Sequence, residues 1–454
     1  MKAPGLSLRS EKNAKTRTAL VKPFCATLAL TFAVMFSRAA QPAAPQDVGP
    51  NPKLPAPHAQ LIPTTKVARA IGWPAGAKPR ADGGLTVTSF ADHLDHPRWI
   101  YALPNGDVLV AETNGPSRPD DAKGLTGWVS KQLQKRAGAG VRSANRISLL
   151  RDTKGDGVAD VRTVFVEGLN SPLGMALVGE DFYIANTDGI VRYAYKTGQT
   201  QLTGPATQVT DLPAGTINHH WTKNLIASAD GKKLYVSIGS NSNAAENGIG
   251  VEDQRAAIME IDIISGAKRI YASGLRNPVG MAWEPGSGTL WTSVNERDNL
   301  GDDLVPDYLT SVRDGGFYGW PYSYYGGHLD KRVKPQRPDL VAKALIPDYA
   351  LGAHTASLGL AASDGNSLGP AFTHGMFVGQ HGSWNRSKPS GYKVIFVPFS
   401  GPKPQGNPIE VLGGFLNKKG EAMGRPAGVA LDKSGALLVA DDVGNVIWRV
   451  TLNP

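Results

Sequence analysis

Four stretches of this chain hold side chains able to move a proton, grip an anion or ligate a cation. Each lies at the edge of a short apolar strand. The first is Asn218-His219-His220-Trp221-Thr222-Lys223-Asn224. Neutral imidazole accepts a proton near physiological pH, which suits a general base acting on an alcohol. Adjacent side chains of an extended segment face opposite ways, so at most one histidine of the pair is expected to point into the channel. A packed histidine is the plain alternative. The second stretch is Gly274-Leu275-Arg276-Asn277-Pro278. A planar guanidinium matches a carboxylate in two parallel bonds. Arg425 precedes a similar phrase, Pro426-Ala427-Gly428. The two arginines are therefore expected to meet one ligand bearing several carboxylates, with structural salt bridges as the alternative. The third runs from Val294 to Asp303 and includes Asp298, Asn299, Asp302 and Asp303. Hard cations such as Ca²⁺ take carboxylate and carbonyl oxygens, while a solvated acidic loop needs no ion. The fourth, His381-Gly382-Ser383-Trp384-Asn385-Arg386, reads either as a polar site or as a turn with a stacked tryptophan. Asp152 to Asp160 resembles a calcium loop, but Lys154 stands where a ligand belongs, so a turn is expected. There is no P-loop and no Gly-x-Ser-x-Gly elbow.

The elements around these stretches repeat. Asn277-Pro278-Val279-Gly280-Met281-Ala282 recurs as Ser171-Pro172-Leu173-Gly174-Met175-Ala176 and as Arg425-Pro426-Ala427-Gly428-Val429-Ala430. Each copy runs through a turn into a short alternating strand. Glycine-bearing turns such as Asn105-Gly106 and Asp230-Gly231 favour tight hairpins. Six units are legible, near 96–113, 171–195, 222–240, 277–296, 375–399 and 425–450. A small sheet recurring at intervals of tens of residues marks a β-propeller. The expected fold is all-β, a six-bladed propeller with loop and short helical insertions. One helix is expected within 127–137, and a long tyrosine-rich insertion spans 298–343.

The chain has 454 residues, 41% of them hydrophobic, and a net charge of +9. The first 38 residues hold seven basic side chains and one acid, so the remainder carries only +3. That gives no argument for nucleic acid. A basic stretch to Lys22, an apolar run Phe24 to Phe36 and small residues at Ser37, Ala39 and Ala40 read as an export signal over residues 1–40. An uncleaved membrane anchor is the alternative. The only cysteine, Cys25, lies in that run, so a mature chain could form neither a disulfide nor a cysteine zinc site. Periplasmic placement follows as an expectation, without membrane insertion after cleavage. Residues 41–84, rich in Pro and Ala, read as a linker and approach segment, with the propeller over 85–454.

Together, Asn218–Lys223, Gly239–Gly248, Gly274–Gly280, Gly315–Tyr325 and Gly379–Arg386 resemble the glucose/sorbosone dehydrogenase family, with the L-sorbosone dehydrogenase branch nearer. The resemblance runs from His93 to Val450. It implies a quinoprotein that binds pyrroloquinoline quinone (PQQ) and Ca²⁺ and dehydrogenates a sugar or sugar aldehyde by base-assisted hydride transfer to the quinone. A cytochrome or another periplasmic electron acceptor would follow. His220 falls at the catalytic base, and Arg276 and Asn277 match a pair at the quinone edge, Arg276 also steadying the developing oxyanion. Arg425 matches a cofactor-carboxylate arginine, Arg386 lies near a position usually held by lysine, and Ser240 and Asn241 join the cofactor set. The calcium-binding backbone falls near Asp298 and Asn299. One departure stands out: the family's glucose dehydrogenases carry an aspartate partner for the histidine where this chain has Ser240. Glu246 is the substitute carboxylate expected. A calcium-dependent propeller lactonase and a non-catalytic ligand-binding propeller are the competing readings.

Overall fold

The computed structural model describes residues 47–58, 65–116, 132–365 and 367–453. The expected export signal and the first part of the 127–137 helix lie outside these residues; 132–137 is helical. Among the described residues six blade sheets, antiparallel but for one edge pair, follow one another along the chain, as the repeats require, beside a two-stranded hairpin. Their innermost strands are Pro97–Ala102, Met175–Val178, Leu225–Ala227, Pro278–Trp283, Ser357–Asp364 and Pro426–Leu431. The fifth had no legible repeat phrase, because Ser357-Leu358-Gly359-Leu360 lacks the proline. The unit read at 375–399 is that blade's middle, His374–Gln380 and Lys393–Ser400.

The last blade closes the ring. Its outer strand is Leu85–Ala91, from the other end of the chain, paired in register from Leu85↔Leu452 to Ala91↔Ile447. Hydrophobic cores fill the gaps between neighbouring blades. Trp99, Leu109 and Phe165 of the first meet Met175 and Phe182 of the second, and Phe90, Leu438 and Ile447 of the sixth meet Ile100 and Val110 of the first.

The repeated phrase has a packing cause. A Cβ on Gly174 would run into the Leu225 backbone nitrogen, one on Gly280 would stand 2.5 Å from Leu360 Cβ, and one on Gly428 2.8 Å from the Arg98 carbonyl oxygen. Glycine lets adjacent inner strands approach backbone to backbone.

The approach segment is not a loose tether. Val48–Gly49 pairs with Leu351 and Ala350, and Arg80–Ala81 pairs with Gly413 and Leu412. Extended Pro-rich chain can satisfy its backbone along sheet edges, which composition does not reveal. The tyrosine-rich insertion buries Tyr318, Trp320, Tyr322, Tyr324 and Tyr325. It also lays Gly316–Phe317 beside Ala272–Ser273 as a parallel edge strand.

Candidate active site

A cavity of about 910 Å³ opens where the chain enters the inner strands of the first five blades. Arg98, His220, Arg276, Asn277, Asp298 and His381 are on its wall. His219 borders it too. Strand alternation does not apply there, because the chain bends at 219–220.

His220 Nδ1 lies 2.7 Å from the Ser240 carbonyl oxygen and 3.1 Å from Ser240 Oγ. A carbonyl can only accept, so Nδ1 carries the proton and Nε2 the basic lone pair. The Ser240 hydroxyl donates to the Ser242 carbonyl at 2.6 Å. The missing aspartate is thus replaced by a backbone oxygen. Glu246 is occupied elsewhere, accepting from the Asn243 and Ala244 amides at 2.7 Å each. Buried Arg255 locks the loop, donating to the Gly239 and His220 carbonyls at 2.9 and 3.1 Å and to Asn218 Oδ1 at 3.0 Å.

Arg276 is 5% exposed. It donates to Asn243 O, Asn243 Oδ1, Asn295 O and Glu296 O at 3.3, 3.0, 3.2 and 2.7 Å. Four of the guanidinium's five N–H groups are spent on the protein. The expected two-bond grip on a carboxylate is therefore unavailable, and a single N–H on Nη2 remains, 3.8 Å from Asp298 Oδ2 at its nitrogen. Beside it, Asn277 Oδ1 is buried without a partner among the described residues, as is Asn241 Oδ1. An unsatisfied buried oxygen costs about 1–3 kcal/mol, so Asn277 Oδ1, on the cavity wall, calls for a donor from a ligand or water. Asn241 instead anchors its loop through Val251 O at 2.8 Å and Glu252 Oε2 at 2.7 Å.

Arg425 lies apart from these residues. It is fully buried behind the 381–384 loop and does not border the cavity. Its guanidinium stacks on Tyr392 at 4.8 Å and reaches the His381, Gly382 and Ala68 carbonyls at 3.4–3.5 Å. Arg98, unremarked in the sequence, takes the wall position. It donates to Asp442 at 2.5 Å, while His381 Nε2 meets the same carboxylate oxygen at 2.8 Å. Burial depresses the His381 pKa to about 4 against the pull of Asp442. Burial would raise the Asp442 pKa, but His381, His96 and Arg98 hold it well below the usual range.

The expected metal ligands do not gather. Asp303 pairs with Arg386, which is thereby tied to that loop rather than to the cavity wall. Asp302 accepts from the Ser387 amide at 3.1 Å and from its hydroxyl. Asp298 Oδ1 meets His354 Nδ1 at 3.2 Å, and His354 Nε2 meets the Gly301 carbonyl at 2.9 Å. Both ring nitrogens of His354 face acceptors. Its pKa is raised by Asp298 despite burial. Among the described residues no three His, Cys, Asp or Glu side chains converge as a metal site. Asp152 caps the amides of Lys154, Gly155 and Gly157, the expected turn. His354, Asp442 and Arg98 escaped the sequence reading because each acts through partners dozens to hundreds of residues away. A hint for Asp442 was Asp441-Asp442 closing a strand.

A second cavity of about 810 Å³ shares the 132–137 helix and is lined by Lys66, Arg69, Lys135, Arg136 and Lys419. It holds neither histidine nor aspartate.

Fold and cavity define a six-bladed propeller with a polar, arginine-bearing cavity at the entrances of its inner strands. The TrAA12-like family matches residues 137–307 and 341–453, and the chain belongs to that family. It is 24% identical over 376 residues to the pyrroloquinoline quinone-dependent pyranose dehydrogenase of Coprinopsis cinerea, covering 72% of this chain. The chain spans about half, 46%, of that relative's length. It is 24% identical to aldose sugar dehydrogenase YliI of Escherichia coli over 334 residues, which is 70% of this chain and 82% of that one. The solved PQQ domain of the Coprinopsis enzyme superposes with a TM-score of 0.65 at 18% identity, covering 85% of this chain and all of that one.

Proposed function

We propose that this protein is a PQQ-dependent dehydrogenase of a sugar or sugar aldehyde, of the aldose or L-sorbosone type, acting in the periplasm and passing electrons to a cytochrome or similar acceptor. The observation that carries the reading is His220. Its Nδ1 is pinned by the Ser240 carbonyl, which turns a basic Nε2 to proton abstraction on a cavity wall that also holds Arg276 and an unsatisfied Asn277 oxygen.

The residues fit a planar tricarboxylate. The cavity volume is that of a small-ligand site. Arg98, Arg142 and Arg276 supply positive charge, and Trp221 and Trp384 supply flat apolar faces. Arg98, Arg276 and the Asn277 amide would hold PQQ, whose bound form supplies a two-electron acceptor. His220 Nε2 takes the hydroxyl proton of the substrate. The remaining Arg276 N–H and its fixed charge favour the oxygen that becomes negative, with no reorganisation needed at that moment. Ser143, Asn145 and Asn170, which also line the cavity, are polar groups suited to a polyol. The sugar-dehydrogenase names of the relatives support this substrate class. A calcium lactonase would want inward carboxylates from several blades, whereas Asp298 is the one carboxylate among the described residues bordering the cavity.

The test is reconstitution of purified protein with PQQ, followed by an aldose or sorbosone. Bleaching of the quinone absorbance is expected. His220→Ala should retain the cofactor yet lose roughly two to four decades of rate. Failure to retain PQQ removes the proposal, and an unimpaired His220→Ala removes the base.

A further inference from the structure

The family resemblance puts calcium on the backbone near Asp298 and Asn299. In this chain those oxygens are already engaged. The Asp298 carbonyl accepts from Arg332 Nη1 at 2.9 Å and from Asn243 Nδ2 at 3.2 Å. A carbonyl has two lone pairs, and both are taken. The Asn299 carbonyl accepts from the same Arg332 Nη1 at 3.4 Å.

Arg332 is not a loose surface side chain that an ion would brush aside. Asp330, wholly buried, holds its fork through Nε at 2.9 Å and Nη2 at 2.7 Å. Arg297, also wholly buried, fixes Asp330 in turn at 3.1 Å. Two parallel bonds of this kind set a guanidinium's orientation as well as its place. The neighbouring oxygens are similarly committed. Asn295 and Glu296 carbonyls serve Arg276, the Asp298 carboxylate serves His354, and Asp302 and Asp303 serve Ser387 and Arg386. A calcium ion needs six to eight oxygens. Arg276 and Arg332 would moreover face it with two positive charges.

We infer that the 295–303 loop takes no divalent cation, and that the Arg332 guanidinium occupies the carbonyls where the resemblance places calcium. Fixed protein cations, Arg276 at the cavity wall foremost, supply the charge that a metal would otherwise bring to an anionic cofactor. The loop's closure to calcium stands on its own geometry, and its meaning for the cofactor rests on the PQQ reading above.

The experiment titrates PQQ into the cofactor-free protein, following tryptophan quenching, in excess EDTA and in excess calcium chloride. The same affinity in both is expected. Arg332→Ala opens the two carbonyls and should make PQQ binding tighten by about tenfold on adding calcium. A wild-type protein whose PQQ affinity rises about tenfold with calcium overturns the inference. So does an Arg332→Ala protein that binds PQQ and still ignores calcium. If PQQ binds in neither buffer, the proposed function fails and the loop is judged separately, from anomalous scattering of calcium-soaked crystals. Density at the Asp298 and Asn299 carbonyls then refutes the inference, and its absence upholds it.

Discussion

Gly239 sits between the two halves of the site. A Cβ there would stand well inside 3.0 Å of both His220 Cβ and Asn277 Oδ1, and 3.1 Å from Asn277 Cγ. Carbon atoms settle about 3.5–4.0 Å apart, so Gly239→Ala must part the histidine and the asparagine by about 1 Å. Neither yields easily: His220 is held by Ser240 on one side and Arg255 on the other, and Asn277 opens the inner strand of the fourth blade. Overpacking of this size costs about 1–3 kcal/mol of stability. A displacement of about 1 Å at a catalytic base costs on the order of a hundredfold in rate. The assay is kcat/KM on the PQQ-loaded enzyme, with a thermal melt alongside. Gly204→Ala is the control, because nothing lies within 4 Å of that position. The expected result is a large loss of kcat/KM for Gly239→Ala and none for Gly204→Ala. A Gly239→Ala enzyme with reduced melting temperature but unimpaired kcat/KM would refute the idea that this glycine sets the spacing of base and asparagine.

Two further outcomes test the roles of buried groups. Arg425→Met should destabilise the fold by roughly 3 kcal/mol, because it removes a desolvated stacked cation and its donors to three carbonyls; a denaturant midpoint equal to wild type would contradict its structural role. Burial holds the His381 pKa at about 4, against 6.5 for an ordinary histidine. Between those values the unfolded chain binds more protons, so this contribution is whole above pH 6.5 and is lost as pH falls toward 4. The melting temperature should therefore fall less for His381→Gln than for wild type between about pH 7 and about pH 5, and parallel slopes would show that His381 does not titrate this way.

Local patterning made the fold legible. The Pro-x-Gly-[Met/Val]-Ala phrase marks three inner strands where glycine lets the next inner strand come close, at Gly174, Gly280 and Gly428, and that demand is written within six residues. The fifth blade was read from its middle strands, and its inner strand escaped because it has Gly359 at the close approach but lacks the proline. His220 was legible for a similar reason, since its motif and the strand that follows are contiguous. What local sequence could not show was the destination of long-range hydrogen bonds. Ser240 looked like a lost carboxylate, yet the orienting group is its backbone oxygen, which any residue there would carry.

Arginine roles divide along the same line. By itself the sequence determined that this chain forms a six-bladed ring and that His220, Arg276 and Asn277 stand at the doorway of its inner strands. Only the tertiary structure decided which cations face the cavity. Arg425 takes Asn277's place in the repeat, one position on from Arg276, yet the 381–384 loop and Tyr392 seal it off. Arg98 is brought to the wall by a partner 344 residues away, Asp442. Arg276 keeps its place but spends four of its N–H groups on Asn243 and the 295–296 carbonyls. A repeat fixes where a side chain leaves the backbone. Whether its charge reaches a ligand depends on which acceptors the folded chain has already set in front of it.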